Sequence, residues 1–324
     1  MKKRTSFEAA YDTLSRIGRG PMSDDAMSAL RGALSGRTSL LASLAADIVA
    51  HRNIHDLIPD MISAFDYYLA GGAKVDKQCS AKISIINALN KLDYLGNEVF
   101  RKGARHIQME PVFGGHVDTA VQLRSGCAYG LARTSDPEAV YILTELLVDA
   151  DPGVRSAAAK ALTYLGLPES EVLLRLKVLT GDKEPGVTRD CFDGLMAMAP
   201  DRSLDFVARY LQSEDPAISQ YAALAVAGSR LPRAFEVLRE CWDTLVLPAA
   251  KTVLLVPIAL IRRDEAFEFL VDVVRTSDKR VAAEAISALC MYTDSDSVRQ
   301  IREAVESRRD AGLQRVFDSE FGDT

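Results

Sequence analysis

Long apolar runs are missing from this chain. No stretch approaches the roughly 20 consecutive apolar residues that a membrane-spanning helix needs, so no membrane association is expected. A basic excess is missing too. The net charge is −6 and the isoelectric point about 5.4, and binding to a polyphosphate rests on clustered Lys and Arg, so the balance argues against a nucleic-acid partner. The opening MKKRTSFEAAYDT carries basic residues with no apolar run behind them, so it does not read as a secretory signal. Cysteine is scarce: five residues, an odd number, far apart. That excludes a disulfide framework or a cysteine metal cluster. Cys127, Cys191 and Cys290 read as small buried hydrophobes. Reduced thiols with no export signal lead to the expectation of a cytoplasmic location. No cofactor or metal is expected.

A repeat is what the sequence does have. Its clearest copy runs from Asp149 to Leu165, DADPGVRSAAAKALTYL. Leu143, Leu146 and Leu147 end one helix, and Asp149, Asp151, Pro152 and Gly153 make a turn. Pro152 falls at the first position of the next helix, where its missing N–H costs nothing. Val154, Ala158, Ala161, Leu162 and Leu165 then recur at helical spacing, and Gly166 is placed as a C-cap. Taking Val154 as anchor, with an apolar residue eight places on, copies begin at 81, 123, 154, 187, 218, 250 and 281. Their intervals are 42, 31, 33, 31, 32 and 31. A fixed period of this size is the mark of a solenoid.

The run Asp149-Ala-Asp-Pro-Gly-Val-Arg155 with its alanines, together with Asp215-Pro-Ala-Ile218, resembles the HEAT family, in particular its short bacterial form named after phycobilisome lyase subunits. The resemblance covers roughly 23–309. It implies an all-α fold, an α-α superhelix (HEAT-like solenoid) of about eight helix pairs. The expected layout is an N-terminal helix or cap over 1–22, the solenoid over 23–309, and a tail over 310–324 with Leu313, Val316 and Phe317 able to tuck over the end. The family links neighbouring units through an aspartate six places before a basic residue. Asp76/Lys82, Asp118/Arg124 and Asp149/Arg155 keep both members, and Asp182/Thr188 keeps only the aspartate.

Such folds bind through the row of second helices, where the places two, six and nine after each anchor are expected to face outward. At six places this row reads Asn87, Tyr129, Lys160, Asp193, Leu224, Val256 and Ser287. It has neither a basic stripe nor the stacked aromatics of a single-strand groove, and suits a protein or peptide. HEAT-like DNA glycosylases need a basic, aromatic-lined cleft, and Trp242 sits in a first helix where packing explains it. Deoxyhypusine hydroxylase holds iron through His-Glu pairs, and this sequence has no His-Glu dipeptide. Bilin lyase subunits share the short units but offer no motif to transfer. Asp47, His51 and His55 have metal-compatible spacing, but Arg52-Asn53 reads as a turn that divides them.

The 42-residue interval marks the candidate site. A helix is expected over 97–108, leaving an enlarged turn at Met109–Val117 with Pro111, Gly114 and Gly115. Two readings compete: a binding loop, or a cover with Phe113 as its plug. The candidate binding residues are Arg105, His106, Glu110, Phe113, His116 and Tyr129. The expected function is that of a non-catalytic scaffold or adaptor binding a protein through its concave face. The alternative is an enzyme or a cofactor-handling, lyase-like subunit with its site at 105–116.

Overall fold

The computed structural model describes residues 6–322. Nineteen α-helices and one two-stranded sheet make up its regular structure among the described residues. After α1 (Ser6–Arg19) the helices follow one another in nine pairs, the eight expected and one more. The chain divides into two compact units, 1–173 and 174–324, each taken here by itself.

The first unit holds α2 (Asp24–Leu34) with α3 (Ser39–His51), α4 (Ile58–Gly71) with α5 (Ser80–Lys91), α6 (Glu98–Ala104) with α7 (Val121–Arg133), and α8 (Ala139–Leu146) with α9 (Pro152–Leu165). Each second helix packs on the next, α3 on α5, α5 on α7 and α7 on α9. Local chemistry sets the ends. Ser23 accepts from the Ala26 N–H to cap α2, and Asp151 accepts from Gly153 and Val154 N–H to cap α9, satisfying donors that a helix start leaves open. Gly166 closes α9 at φ +64°. The division between units falls within α10 (Pro168–Thr180).

The second unit continues with α11 (Pro185–Met198), α12 (Pro200–Ala208) with α13 (Pro216–Gly228), α14 (Ala234–Thr244) with α15 (Pro248–Leu260), and α16 (Asp264–Thr276) with α17 (Lys279–Ala288). The last pair is α18 (Ser295–Ser307) with α19 (Ala311–Phe321). Where a tail was expected after residue 309, Asp310 caps a helix by accepting from Gly312 and Leu313 N–H. Leu313, Phe317 and Phe321 bury its inner face. Trp242 is a packing residue, edge-on to Phe269 at 5.4 Å with the Lys251 ammonium 4.9 Å from its ring centre.

The eight-place spacing marks the core. Leu89, Leu131, Leu162, Leu195, Val226, Ile258 and Leu289 are all fully buried. The alanines and glycines of the second helices let neighbours approach. A Cβ on Gly130 would lie 2.4 Å from the Phe100 ring, and one on Gly103 2.4 Å from Cys127 Sγ, so α6 and α7 need these glycines for contact. Cys79, Cys127, Cys191 and Cys241 are buried free thiols, and burial pushes the Cys127 and Cys191 thiols up from their ordinary range. Cys290 departs from the expectation and is exposed, because α17 gives way to a 3₁₀ turn over Leu289–Met291 that turns it outward. Among the described residues no helix is long and apolar enough to cross a membrane.

Candidate functional site

The surplus between the third pair's helices is a β-hairpin. The helix expected over 97–108 stops at Ala104, and residues 105–108 run on into strand β1 (Met109–Val112), which pairs antiparallel with β2 (Gly115–Asp118). The register is Met109 with Asp118, Glu110 with Val117, Pro111 with His116, and Val112 with Gly115. Phe113 and Gly114 form the two-residue tip, Gly114 at φ +88°, a conformation that glycine adopts without strain.

The base of the hairpin is tied down by a chain of polar contacts. Glu110 Oε1 accepts from the Gln78 N–H at 2.6 Å, Gln108 Nε2 at 2.7 Å and Thr119 Oγ1 at 2.8 Å. Burial would raise this carboxyl, but the three donated hydrogen bonds outweigh it and hold the group below the usual range. Gln108 Nε2 also donates to the Asp76 carbonyl at 2.9 Å. Gln78 and Cys79, on the partner turn, both have left-handed backbone, φ +56° and +52°. Such strain persists only where surroundings over-determine it, and here Gln78 is held to Glu110.

Below this lies the ladder that links neighbouring helix pairs within the first unit. Lys82 Nζ meets Asp76 Oδ2 at 3.0 Å with both side chains wholly buried, and donates to the Tyr68 carbonyl at 3.3 Å. Arg124 reaches both ways: Nη1 donates to Asp118 Oδ2 at 2.7 Å and to the His106 carbonyl at 3.1 Å, while Nε and Nη2 grip Asp149 at 2.8 and 3.0 Å. Burial raises the Asp118 carboxyl, but the Ala120 N–H, Arg124 and the Gln108 N–H together leave it below its ordinary value. Arg155 Nη1 donates to the carbonyls of Asp149 and Ala150 at 2.8 and 3.0 Å. Asp182, which has Thr188 six places on, meets Lys177 at 2.8 Å.

The six candidate residues have different surroundings. Phe113 stands at the tip with 108% relative exposure, so it plugs nothing. His116 is exposed on β2. Glu110 is the brace just described. His106 is half-buried, its Nε2 3.4 Å from Gln108 Oε1, and desolvation holds its imidazole below the ordinary range. Arg105 is exposed and pairs with Glu145 of α8 through two contacts of 2.8 and 2.7 Å. Tyr129 is exposed on α7, in the outward row read from the repeat. Other apolar side chains also stand exposed, Ile107 just before β1 and Met109, Val112 and Val117 on the hairpin. Their signal in the sequence was slight, a Phe-Gly pair between two four-residue runs, one of them interrupted by Pro111. His51 and His55 lie in different elements, and no group of three His, Cys, Asp or Glu side chains able to hold a metal ion occurs among the described residues.

Residues 116–190 match the family model for HEAT repeats. No curated protein matches the chain. Among structures, the chain is similar to one in a homology model of the full-length AP-3 complex in an intermediate open conformation. The identity is 12% and the TM-score 0.58, over 94% of this chain and 58% of that one, a likeness of fold alone. An engineered protein shares 18% identity over 98% of this chain and 95% of its own, with a TM-score of 0.42. The complex of CpcE and CpcF of phycocyanin lyase from Nostoc sp. PCC7120 shares 16% over 89% and 96%, with a TM-score of 0.37. The matched segment runs from β2 into α11, and the same alternation of paired helices fills the rest of the described residues, an all-α helical-repeat fold.

Proposed function

We propose that this chain is a non-catalytic scaffold that binds a protein partner, and that the hairpin at 109–118 is a principal contact. One observation carries this reading: a rigidly braced base presents a fully exposed phenylalanine. Burying a phenylalanine side chain is worth roughly 1.5–3 kcal/mol, and folding leaves that gain unused at Phe113. Ile107, Met109, Val112 and Val117 add exposed apolar surface around it. An aromatic anchor among smaller apolar contacts is the usual composition of a binding hot spot. The bracing matters because a preorganised element loses little freedom on binding. Tyr129 and the outward row of second helices in the first unit extend the surface.

The test is a pull-down from source-cell lysate with the full chain and with Phe113→Ala. The reading predicts one stoichiometric protein, lost with the variant while the melting temperature is unchanged. Equal recovery by both proteins would refute it. A chromophore or metal carried through purification would favour the cofactor-handling alternative.

A further inference from the structure

The hairpin's two outer edges are chemically unequal. Antiparallel strands alternate between pairs that exchange hydrogen bonds and pairs that do not. The Thr119 N–H donates to the Gln108 carbonyl at 2.9 Å, which fixes the bonded pairs at Gln108 with Thr119, Glu110 with Val117, and Val112 with Gly115. Met109 and Pro111 on β1, and His116 and Asp118 on β2, therefore turn their main-chain groups outward. Pro111 has no N–H, so the outer edge of β1 lacks its central donor, as strands shielded from further pairing do. The outer edge of β2 keeps its full complement. Neither the N–H nor the C=O of His116 has a partner among the described residues.

Gly115 is the second observation. Its φ is not in the left-handed region, and a Cβ built there would meet nothing within 4 Å. The chain's own fold thus makes no demand for glycine at this place. A strand glycine often marks a bulge, a tight bend or the close approach of another backbone, and the unbroken register of β1 with β2 leaves no bulge at Gly115.

Resting on the reading of the hairpin as a binding element, we propose that β2 takes up an extended segment of the partner protein as a third strand along Gly115–Asp118. The residue opposite His116 exchanges two main-chain hydrogen bonds with it. The neighbour opposite Gly115 lies in a pair without hydrogen bonds, where side chains come closest. It enters the space left by the missing Cβ, on the face that carries Val112 and Val117, half exposed at 51% and 45%. The segment recognised is therefore extended, free of proline opposite His116, and has large apolar residues at alternate places opposite Gly115 and Val117.

The probe is a linear 12-residue peptide selected from a random display library on the full-length chain. Amide exchange followed by NMR is the primary readout. The free chain should show fast exchange at the His116 amide and protection at Val117, and bound peptide should protect His116. His116→Ala should leave affinity essentially unchanged, while His116→Pro should lower it about tenfold or more by removing an outward donor. His116 lies in a non-bonded pair, so this proline removes no hydrogen bond of the hairpin itself. An unprotected His116 amide with peptide bound overturns the proposal, as does a library that yields no binder. Binding lost in Phe113→Ala but kept in His116→Pro leaves the hairpin reading standing and rejects strand addition. Binding indifferent to both rejects both. Protection of His116 that rises with protein concentration in the absence of peptide names a second copy as the occupant and overturns the proposal.

Discussion

Replacing Lys82 by methionine removes half of an ion pair enclosed in the first unit. Lys82 and Asp76 are both fully buried with 3.0 Å between Nζ and Oδ2. Asp76 keeps three other donors, Ser80 Oγ and the N–H groups of Ala81 and Lys82, so its carboxylate is not stripped bare. What is lost is the compensating charge and the donor to the Tyr68 carbonyl. Methionine fills nearly the same volume, so no cavity enters the result. Stranding a buried charge in this way costs about 3–5 kcal/mol, a drop of ~6–20 °C in midpoint for a unit of this size. The assay is thermal and urea unfolding of the full chain, followed by a signal from the first unit such as exchange at the α5 amides. Adding Asp76→Asn should recover part of the loss, since a neutral amide still accepts through its oxygen and carries no charge. A cost under about 1 kcal/mol, the value of a solvated pair, would refute the claim that the ladder supports the hairpin base.

Four further outcomes follow from the same contacts. Arg155→Ala should destabilise by about 1–3 kcal/mol, because the Asp149 and Ala150 carbonyls lose their donor; an unchanged melting temperature counts against it. Glu110, Asp118 and Asp136 have lowered carboxyl pKa values. Hydrogen bonds outweigh burial for the first two, and the Arg101 pairing leads for the third. Their stabilisation is present above the unfolded carboxylate range and lost as pH falls through the folded values, so acid unfolding should set in below about pH 4. His106 is lowered by desolvation, so the unfolded chain takes the proton first and stability should begin to fall as pH drops below about 6.5; His106→Gln should flatten that step. Glu110→Ala should speed exchange of the Gln78 amide and of the hairpin amides with little effect on the α8 and α9 amides.

The helix pairs were legible because burial imposes a period. The eight-place residues of the repeat are the core itself, and the places six after each anchor are exposed or half-buried in every copy, but the places nine after are buried at Ala132, Met196, Ala227 and Ala259, because they follow the core residue directly and pack beside it. The hairpin was legible only as a surplus. Phe100, Ala104 and Ile107 continue a helical spacing, which hid that Gln108 gives its carbonyl to Thr119 rather than to a helix. Lys177 was missed because it sits five places before Asp182, near the end of α10, whereas the ladder was sought six places after each aspartate. The inward turn of Glu110 was also out of reach: it depends on which face of a strand each residue takes. A strand places Glu110 and Val112 on one face, whereas the presumed loop assigned no faces at all.

The central claim, that the braced hairpin is where this scaffold meets its partner, is tested most directly by a photo-crosslinker. p-Benzoylphenylalanine is placed at Phe113 in one sample and, as control, at Tyr164, an exposed aromatic on α9. Irradiated in source cells, the chain labelled at 113 should give a single protein adduct that the chain labelled at 164 does not. The same adducts from both positions, or none from 113, would contradict the account.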